Sequence, residues 1–395
     1  MVLPSASPAQ APRMPWAVLA AACLGMFAAS SSGTTRAPFL LDMARDLGTS
    51  LPLVANLMAV TSVVWGIASL LAGAGSDLWG RRPFIILGPL GLALSLAGVA
   101  SAESFAVVMG WAAFGGGCAG AYTGVIMAEA SARTVDRQRG RALGWVMAGQ
   151  SLTLLVGVPL AAWIGSFIGW RGVHWVVAGI AVLAAAALGL STLRPALSDG
   201  GGAGRGRKKG GASALSGPVL RLLAMGVAER VCYGLTAVFF ATFLQTTYDL
   251  SIAAVALPLA LFAGGNILGT IIGGQLADRL PNRLLTFAGA MAGSALVGFV
   301  LFSWTPSLVG TVALGFLYVF VTAFARPSLM AALANVPEEV RGTVLGLNVT
   351  SAAIGWLGAA SLGGWMVAQG GFTLFGPLTA CVALLGGALA LFGRR

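Results

Sequence analysis

Gly73-Ala-Gly-Ser-Asp77-Leu-Trp-Gly80-Arg81-Arg82 places one carboxylate and two guanidinium groups in a short stretch between two long apolar runs. Charges this dense cannot lie in hydrocarbon, so the stretch reads as a turn at a membrane surface joining two spans. A variant returns as Gly274-Gln-Leu-Ala-Asp278-Arg279-Leu-Pro-Asn-Arg283, its Asp278 lying 201 positions after Asp77 and again between apolar runs. The recurrence indicates a duplicated chain.

The composition agrees with a membrane setting. Of 395 residues, 57% are hydrophobic and only 9% charged, too little polar surface to coat a soluble globule. The net charge of +11 is spread through short connections between apolar runs, a pattern of membrane topology and not of a nucleic-acid-binding face. Cys23, Cys118, Cys232 and Cys381 stand singly inside apolar runs, so neither a disulfide nor a metal site is expected.

A membrane span needs about 20 apolar residues. Cutting at charge clusters and Pro/Gly breaks gives spans over residues 15–40, 51–75, 83–101, 105–131, 142–167 and 173–193. A second six follow over 217–245, 252–276, 284–303, 307–333, 343–367 and 372–392. The sequence therefore predicts an all-α membrane protein of twelve transmembrane helices in two six-helix bundles, residues 15–193 and 217–395. Residues 1–14 read as a disordered tail and 194–216 as a flexible, basic, Gly-rich linker. That linker is not a phosphate-binding loop, because no strand precedes it and no Lys-Ser/Thr follows at the required spacing. With the N-terminus inside, 18 of the 23 Lys and Arg fall on the cytoplasmic side. Both termini are accordingly expected in the cytoplasm, with the chain multi-pass in the cell (inner) membrane.

A second marker supports the duplication. The connection Asp136-Arg-Gln-Arg139-Gly140 is similar to Glu338-Glu-Val-Arg341-Gly342, at an offset of 202. Six spans return the chain to its starting side, so the halves run parallel. Gly265, Gly269 and Gly273 recur at four-residue spacing in span 8, and Gly115, Gly116, Gly117 and Gly120 crowd span 4. Such faces let helices approach closely, whether for packing or for sliding.

On these residues the chain resembles the major facilitator superfamily of secondary transporters along essentially its whole length. That family's G-x-L-A-D-R-x-G-R-R signature is matched by Gly73, Asp77, Gly80, Arg81 and Arg82, with Leu78 in place of the first arginine. The second copy matches at Gly274, Leu276, Ala277, Asp278, Arg279 and Arg283, and departs at Pro281 and Asn282. Gly149, Gly157 and Pro159 in span 5, followed by Gly169-Trp170-Arg171, resemble the helix-5 pattern of drug:proton antiporters and sugar-efflux permeases. Trp111 stands where many proton-coupled members carry a helix-4 arginine. The resemblance implies the major facilitator fold, with helices 1, 4, 7 and 10 lining a central cavity.

Charges inside spans are costly and mark candidate sites. Glu129 in span 4, Glu229 and Arg230 in span 7, and Arg326 in span 10 are the four. Glu229 and Arg230 point about 100° apart on a helix, so their partners are expected elsewhere, with Tyr233 in reach of either. Glu129 and Arg326 would supply cross-helix charge. The set reads either as a fixed ion-pair network or as a site where Glu229, or second Glu129, carries a proton. Arg326 precedes Pro327, which removes a backbone donor and opens span 10 locally, either as a docking point for an anion or as a simple kink. Tyr122, Tyr318, Asn266, Gln150 and Asn348 offer polar contacts to a ligand or to neighbouring helices. His174, the one histidine, reads as a packing or interfacial residue. The turn residues, together with Arg139 and Arg341, read as a conformational latch, with Asp77 accepting from backbone amides or from a guanidinium of the other half.

No Ser/His/Asp set or metal cluster is visible, which argues against an enzyme. The sequence points to proton-coupled efflux of a drug-like molecule or small metabolite by alternating access. The alternative is proton-coupled uptake of a small, possibly anionic solute, with a channel or receptor behind both. The expected partners are the lipid bilayer, a small-molecule substrate and protons, with no nucleic acid. No cofactor is expected beyond the proton gradient, and the chain is expected to be a monomer.

Overall fold

The computed structural model describes residues 14–193, 216–280, 282–305, 307–336 and 338–392. The expected tail up to residue 13, the linker over 194–215 and the closing Arg394-Arg395 lie outside these residues. The first half contains α1 (Trp16–Thr34), a short α2 (Leu40–Asp46), α3 (Leu51–Trp79), α4 (Arg82–Ser101), α5 (Phe105–Ala132), α6 (Asp136–Leu152) and α7 (Val158–Ser191). The second contains α8 (Gly217–Tyr248), α9 (Ala256–Arg279), α10 (Arg283–Ser303), α11 (Leu308–Ala323), α12 (Ala325–Ala334), α13 (Glu338–Gly370) and α14 (Phe375–Leu391). No strand occurs among the described residues.

Among the described residues, ten segments are long and apolar enough to cross a membrane, and two of them, Gln138–Ser191 and Leu347–Leu391, run 54 and 45 residues. At about 1.5 Å per residue each is more than twice as long as the hydrocarbon layer, about 30 Å, is thick. Each therefore crosses twice. The bends fall at Gly169 (φ 70°) and Gly371 (φ 63°), a left-handed backbone that glycine adopts without a Cβ clash. Twelve crossings result, six in each half.

Local chemistry sets the other breaks. Gly80 (φ 77°) ends α3 and opens the charged turn. Asn282 caps α10 by accepting from the Leu285 amide at 3.1 Å. Pro159 cannot donate to the carbonyl four residues back, and the helix relaxes there into a π-turn over Thr153–Gly157. Pro327 likewise lacks the donor that would meet the Ala323 carbonyl, and span 10 divides there into α11 and α12.

The glycine faces bring backbones together. A Cβ on Gly265 or Gly273 of α9 would lie 2.9 Å from the Phe316 carbonyl oxygen or 2.7 Å from the Phe324 Cα, and Gly269 sits on the Phe320 carbonyl. Gly116 of α5 abuts the Thr61 backbone of α3, and Gly149 of the helix-5 pattern abuts the Cys23 carbonyl of α1. These glycines are required by close helix approach.

The charged turns, with Arg81, Arg133 and Arg283, share one face of the molecule, the basic face. The halves touch at the opposite face. There Gln245 Nε2 donates to the Pro38 carbonyl at 3.0 Å, and Ser361 Oγ donates to Asn56 Oδ1 at 3.1 Å. Gly364 packs against Pro52 beside them. The most enclosed helix among the described residues is α8, with 72% of its apolar window buried against 22% for α3. Charges on α8 therefore face protein and not lipid.

Candidate functional site

Glu229 lies on α8 and is 1% exposed. Arg326, on the first turn of α12, reaches its Oε1 with Nη2 at 3.0 Å and Nε at 3.3 Å. The break at Pro327 sets that turn opposite Glu229. Arg230 Nε lies 3.4 Å from the other carboxylate oxygen, Oε2. Glu229 thus takes its shortest contacts from another helix, as expected, while Arg230 adds a longer one from its own: the side chains diverge at Cβ, but the long arginine stem folds back. The Arg326 guanidinium also sits 5.1 Å from the centroid of the Tyr233 ring, a cation–π contact. Tyr233 in turn meets Trp356 edge-on at 5.8 Å.

Beside this cluster a cavity of about 340 Å³ opens between the halves. Ser30, Met58, Trp65 and Gln150 line it from the first half, and Arg230, Asn348 and Trp356 from the second. Arg230 is the one charged side chain among the described lining residues. It reaches the cavity because α13 has Gly355 where its stem passes, leaving no room for a Cβ. Trp65 and Trp356 went unnoticed in the sequence, where tryptophans in apolar runs carry no sign of which way they face.

The structure separates Glu129 from this group. Glu129 Oε1 accepts from Arg133 Nε at 2.6 Å, and its Oε2 lies 3.8 Å from Arg81 Nη1. It thus belongs to the charged turn and does not face Glu229. The four-residue spacing to Arg133 was the available signal. Arg81 also donates to the Ala128 carbonyl at 3.4 Å, and Arg82 to the Gly189 carbonyl at 3.4 Å. Asp77 is exposed and pairs with no described residue, so the contact expected of it falls to Arg81 and Glu129. In the second copy Arg283 donates to the Ala331 carbonyl at 2.8 Å. Gly274 and Arg279 lie on the last turns of α9, and Arg139 is exposed on the first turn of α6. The side chains of Asp278 and Arg341 lie outside the described residues.

Tyr122 and Tyr318 are helix ties. Their hydroxyls donate to the Ala22 and Cys232 carbonyls at 2.9 and 2.8 Å, and neither lines the cavity. Asn266 is buried, its Oδ1 without a partner. Gly157 packs on Phe27, and Pro159 lies in the first turn of α7. Trp111 packs on Gly98 of α4. His174 is buried, its Nδ1 2.7 Å from the Trp170 carbonyl. Arg36 is 5% exposed; its Nη1 donates to Thr61 at 3.3 Å and its Nε has no partner.

Twelve crossings in two like halves around a partly polar cavity define a polytopic membrane transporter. The family model for the Major Facilitator Superfamily matches residues 22–360, and matches again over 222–395. The chain belongs to the major facilitator superfamily.

Two curated relatives are similar over part of their length. A chloramphenicol resistance protein of Streptomyces lividans is 27% identical over 263 residues, 63% of this chain and 64% of that one. A purine ribonucleoside efflux pump, NepI of Escherichia coli O1:K1 / APEC, is 31% identical over 148 residues, 36% of each chain. The matched region thus spans less than two thirds of either relative. Among solved structures, a D-xylose-proton symporter superposes with a TM-score of 0.77 at 14% identity, over 96% of this chain and 97% of that one. That likeness concerns the fold.

Proposed function

We propose that the protein is a secondary active transporter that exports a drug-like molecule or small metabolite by alternating access, with Glu229 as the carboxylate through which a proton gradient acts. The observation that carries this reading is the cavity between the halves, lined from both sides and set beside a buried carboxylate with two guanidinium partners. A ligand there would contact both halves at once, and its occupancy would bias their relative position. Outward transport is supported by the helix-5 pattern and by the names of the chloramphenicol resistance and efflux relatives.

A second reading is uptake of an anion together with a proton. One observation favours it: the Glu229 carboxylate neutralises part of the charge of Arg230 and Arg326, so a proton on it would free cationic capacity for an anion. Counterflow in proteoliposomes under imposed pH gradients separates the two. Export by antiport predicts accumulation in everted vesicles acidic inside, and cotransport predicts the reverse. Glu229→Gln should remove the gradient dependence in either case. Flux that keeps its full pH-gradient dependence in that variant would show that another group carries the proton.

A further inference from the structure

We propose that the central cavity selects planar aromatic anions, with Arg230 holding an oxyanion such as a carboxylate and Trp65 and Trp356 flanking the ring, and that it excludes organic cations. This rests on the reading of the cavity as the substrate site and names the class of molecule that the site takes.

Charge is the first argument. Glu229, Arg230 and Arg326 together carry one surplus positive charge, beside a cavity whose described lining holds no carboxylate. The Glu229 carboxylate is 1% exposed and turned to the two guanidinia, so it offers nothing to a cationic ligand. A cation entering would meet Arg230 and find no carboxylate, only neutral oxygens and indole faces, to set against its lost hydration and that repulsion. An anion entering would neutralise the surplus.

Geometry is the second. The polar contact of Arg230 with the described residues is the 3.4 Å approach of Nε to Glu229, and no hydrogen bond ties its fork to any of them. Arg326 instead spends both Nε and Nη2 on Glu229. Arg230 therefore presents unused, coplanar N–H donors to the cavity, a shape that matches a carboxylate in bidentate fashion. Planar recognition of this kind distinguishes a carboxylate or related oxyanion from a spherical ion.

The wall is the third. Trp65 of α3 and Trp356 of α13 line the same cavity from opposite halves. Trp356 is held from behind by Tyr233, which stacks on Phe262 at 6.3 Å. Indole faces favour flat, polarisable rings, and the hydroxyls and amides of Ser30, Gln150 and Asn348 leave room for a polar substituent.

The test uses the full chain in lipid nanodiscs and matched probe series: benzoate, 2-naphthoate and indole-3-acetate against benzylammonium, 2-naphthylmethylammonium and tryptammonium, with the neutral amides of the acids as a third arm. Binding is read by equilibrium dialysis of labelled probes. The carboxylates should bind in preference to the ammonium series, and Arg230→Gln should weaken carboxylate binding by about tenfold or more while sparing the amides. Arg230→Lys should recover part of the loss, since it keeps the charge and loses the fork. Binding of the ammonium series as tightly as the carboxylates would overturn the proposal even if no variant folded. So would failure of every carboxylate to bind, or carboxylate binding unchanged in Arg230→Gln. Counterflow is measured in parallel: bound carboxylates without counterflow would reject the transport reading alone, and counterflow of a cation would reject the anion assignment alone.

Discussion

Arg81 and Arg283 do the same thing in the two halves. Each starts the third helix of its bundle and donates to a backbone carbonyl near the basic end of the fourth, Ala128 at 3.4 Å and Ala331 at 2.8 Å. What differs is the neighbouring residue: Glu129 adds a carboxylate in the first half, whereas Ala332 has none to add. Among the described residues the first turn is thus an ion pair braced by a carbonyl, and the second a carbonyl bond.

Glu129→Gln should therefore cost more than Arg283→Ala. The first removes the buried carboxylate that Arg81 and Arg133 share, about 2–3 kcal/mol of unfolding free energy, and the second removes one charged hydrogen bond, about 1.5 kcal/mol. Thermal unfolding midpoints in detergent would rank the two, and equal midpoints would contradict the asymmetry.

Gly355→Ala is expected to act on Arg230 without touching the cavity directly. The new Cβ would collide with the Arg230 stem and push it off its position, costing about 1–3 kcal/mol of overpacking. Carboxylate binding should fall as in Arg230→Gln, and a variant that binds as the parent does would show that the stem has room to move.

On the second reading, uptake of an anion together with a proton, anion binding should tighten on acidification, over a range in which the probe stays ionised. The titratable groups around Glu229 are Arg230, Cys232 and Tyr233 of its own helix, Tyr318 of α11 and Arg326 of α12, and protonating Glu229 leaves the positive charge of the two arginines in excess. By linkage, proton and anion then favour each other's binding. Dialysis of 2-naphthoate at several pH values checks the sign, and Glu229→Gln should flatten the curve. Weaker binding in acid would instead support proton antiport.

Arg36→Met should leave stability unchanged or raise it. Its guanidinium is buried, its Nε lacks a partner, and its one hydrogen bond to Thr61 is long at 3.3 Å. Exchanging an unpaired buried charge for an apolar chain of similar length removes a desolvation cost. A lower unfolding midpoint would mean that Arg36 holds the closed face together.

What could be read in the sequence were the features fixed by the bilayer itself. Charges at Asp77–Arg82 had to leave hydrocarbon, Glu229 and Arg326 had to find each other or water, and Pro327 had to open span 10. The glycine series of α9 announced a close neighbour by its spacing. What could not be read was rotation. Whether Trp65, Trp356 or Arg230 faces the cavity depends on the angular setting of α3, α13 and α8, which apolar runs with little amphipathic contrast do not encode. Glu129 was grouped with the interior charges for a related reason: a charge near a span's end can serve the turn or the interior, and its contacts with Arg81 and Arg133 set it in the turn.

The seam opposite the basic turns is closed by Gln245 on Pro38 and Ser361 on Asn56, two uncharged hydrogen bonds each worth about 1 kcal/mol net. At the basic face the first-half ion pairs measure 2.6 and 3.8 Å and centre on the buried Glu129, well inside a Debye length of about 8 Å at physiological ionic strength, so added salt screens them little. Both ends of the molecule are thus held by contacts that electrolyte barely reaches, and its balance between them answers to what occupies the cavity and not to ionic strength.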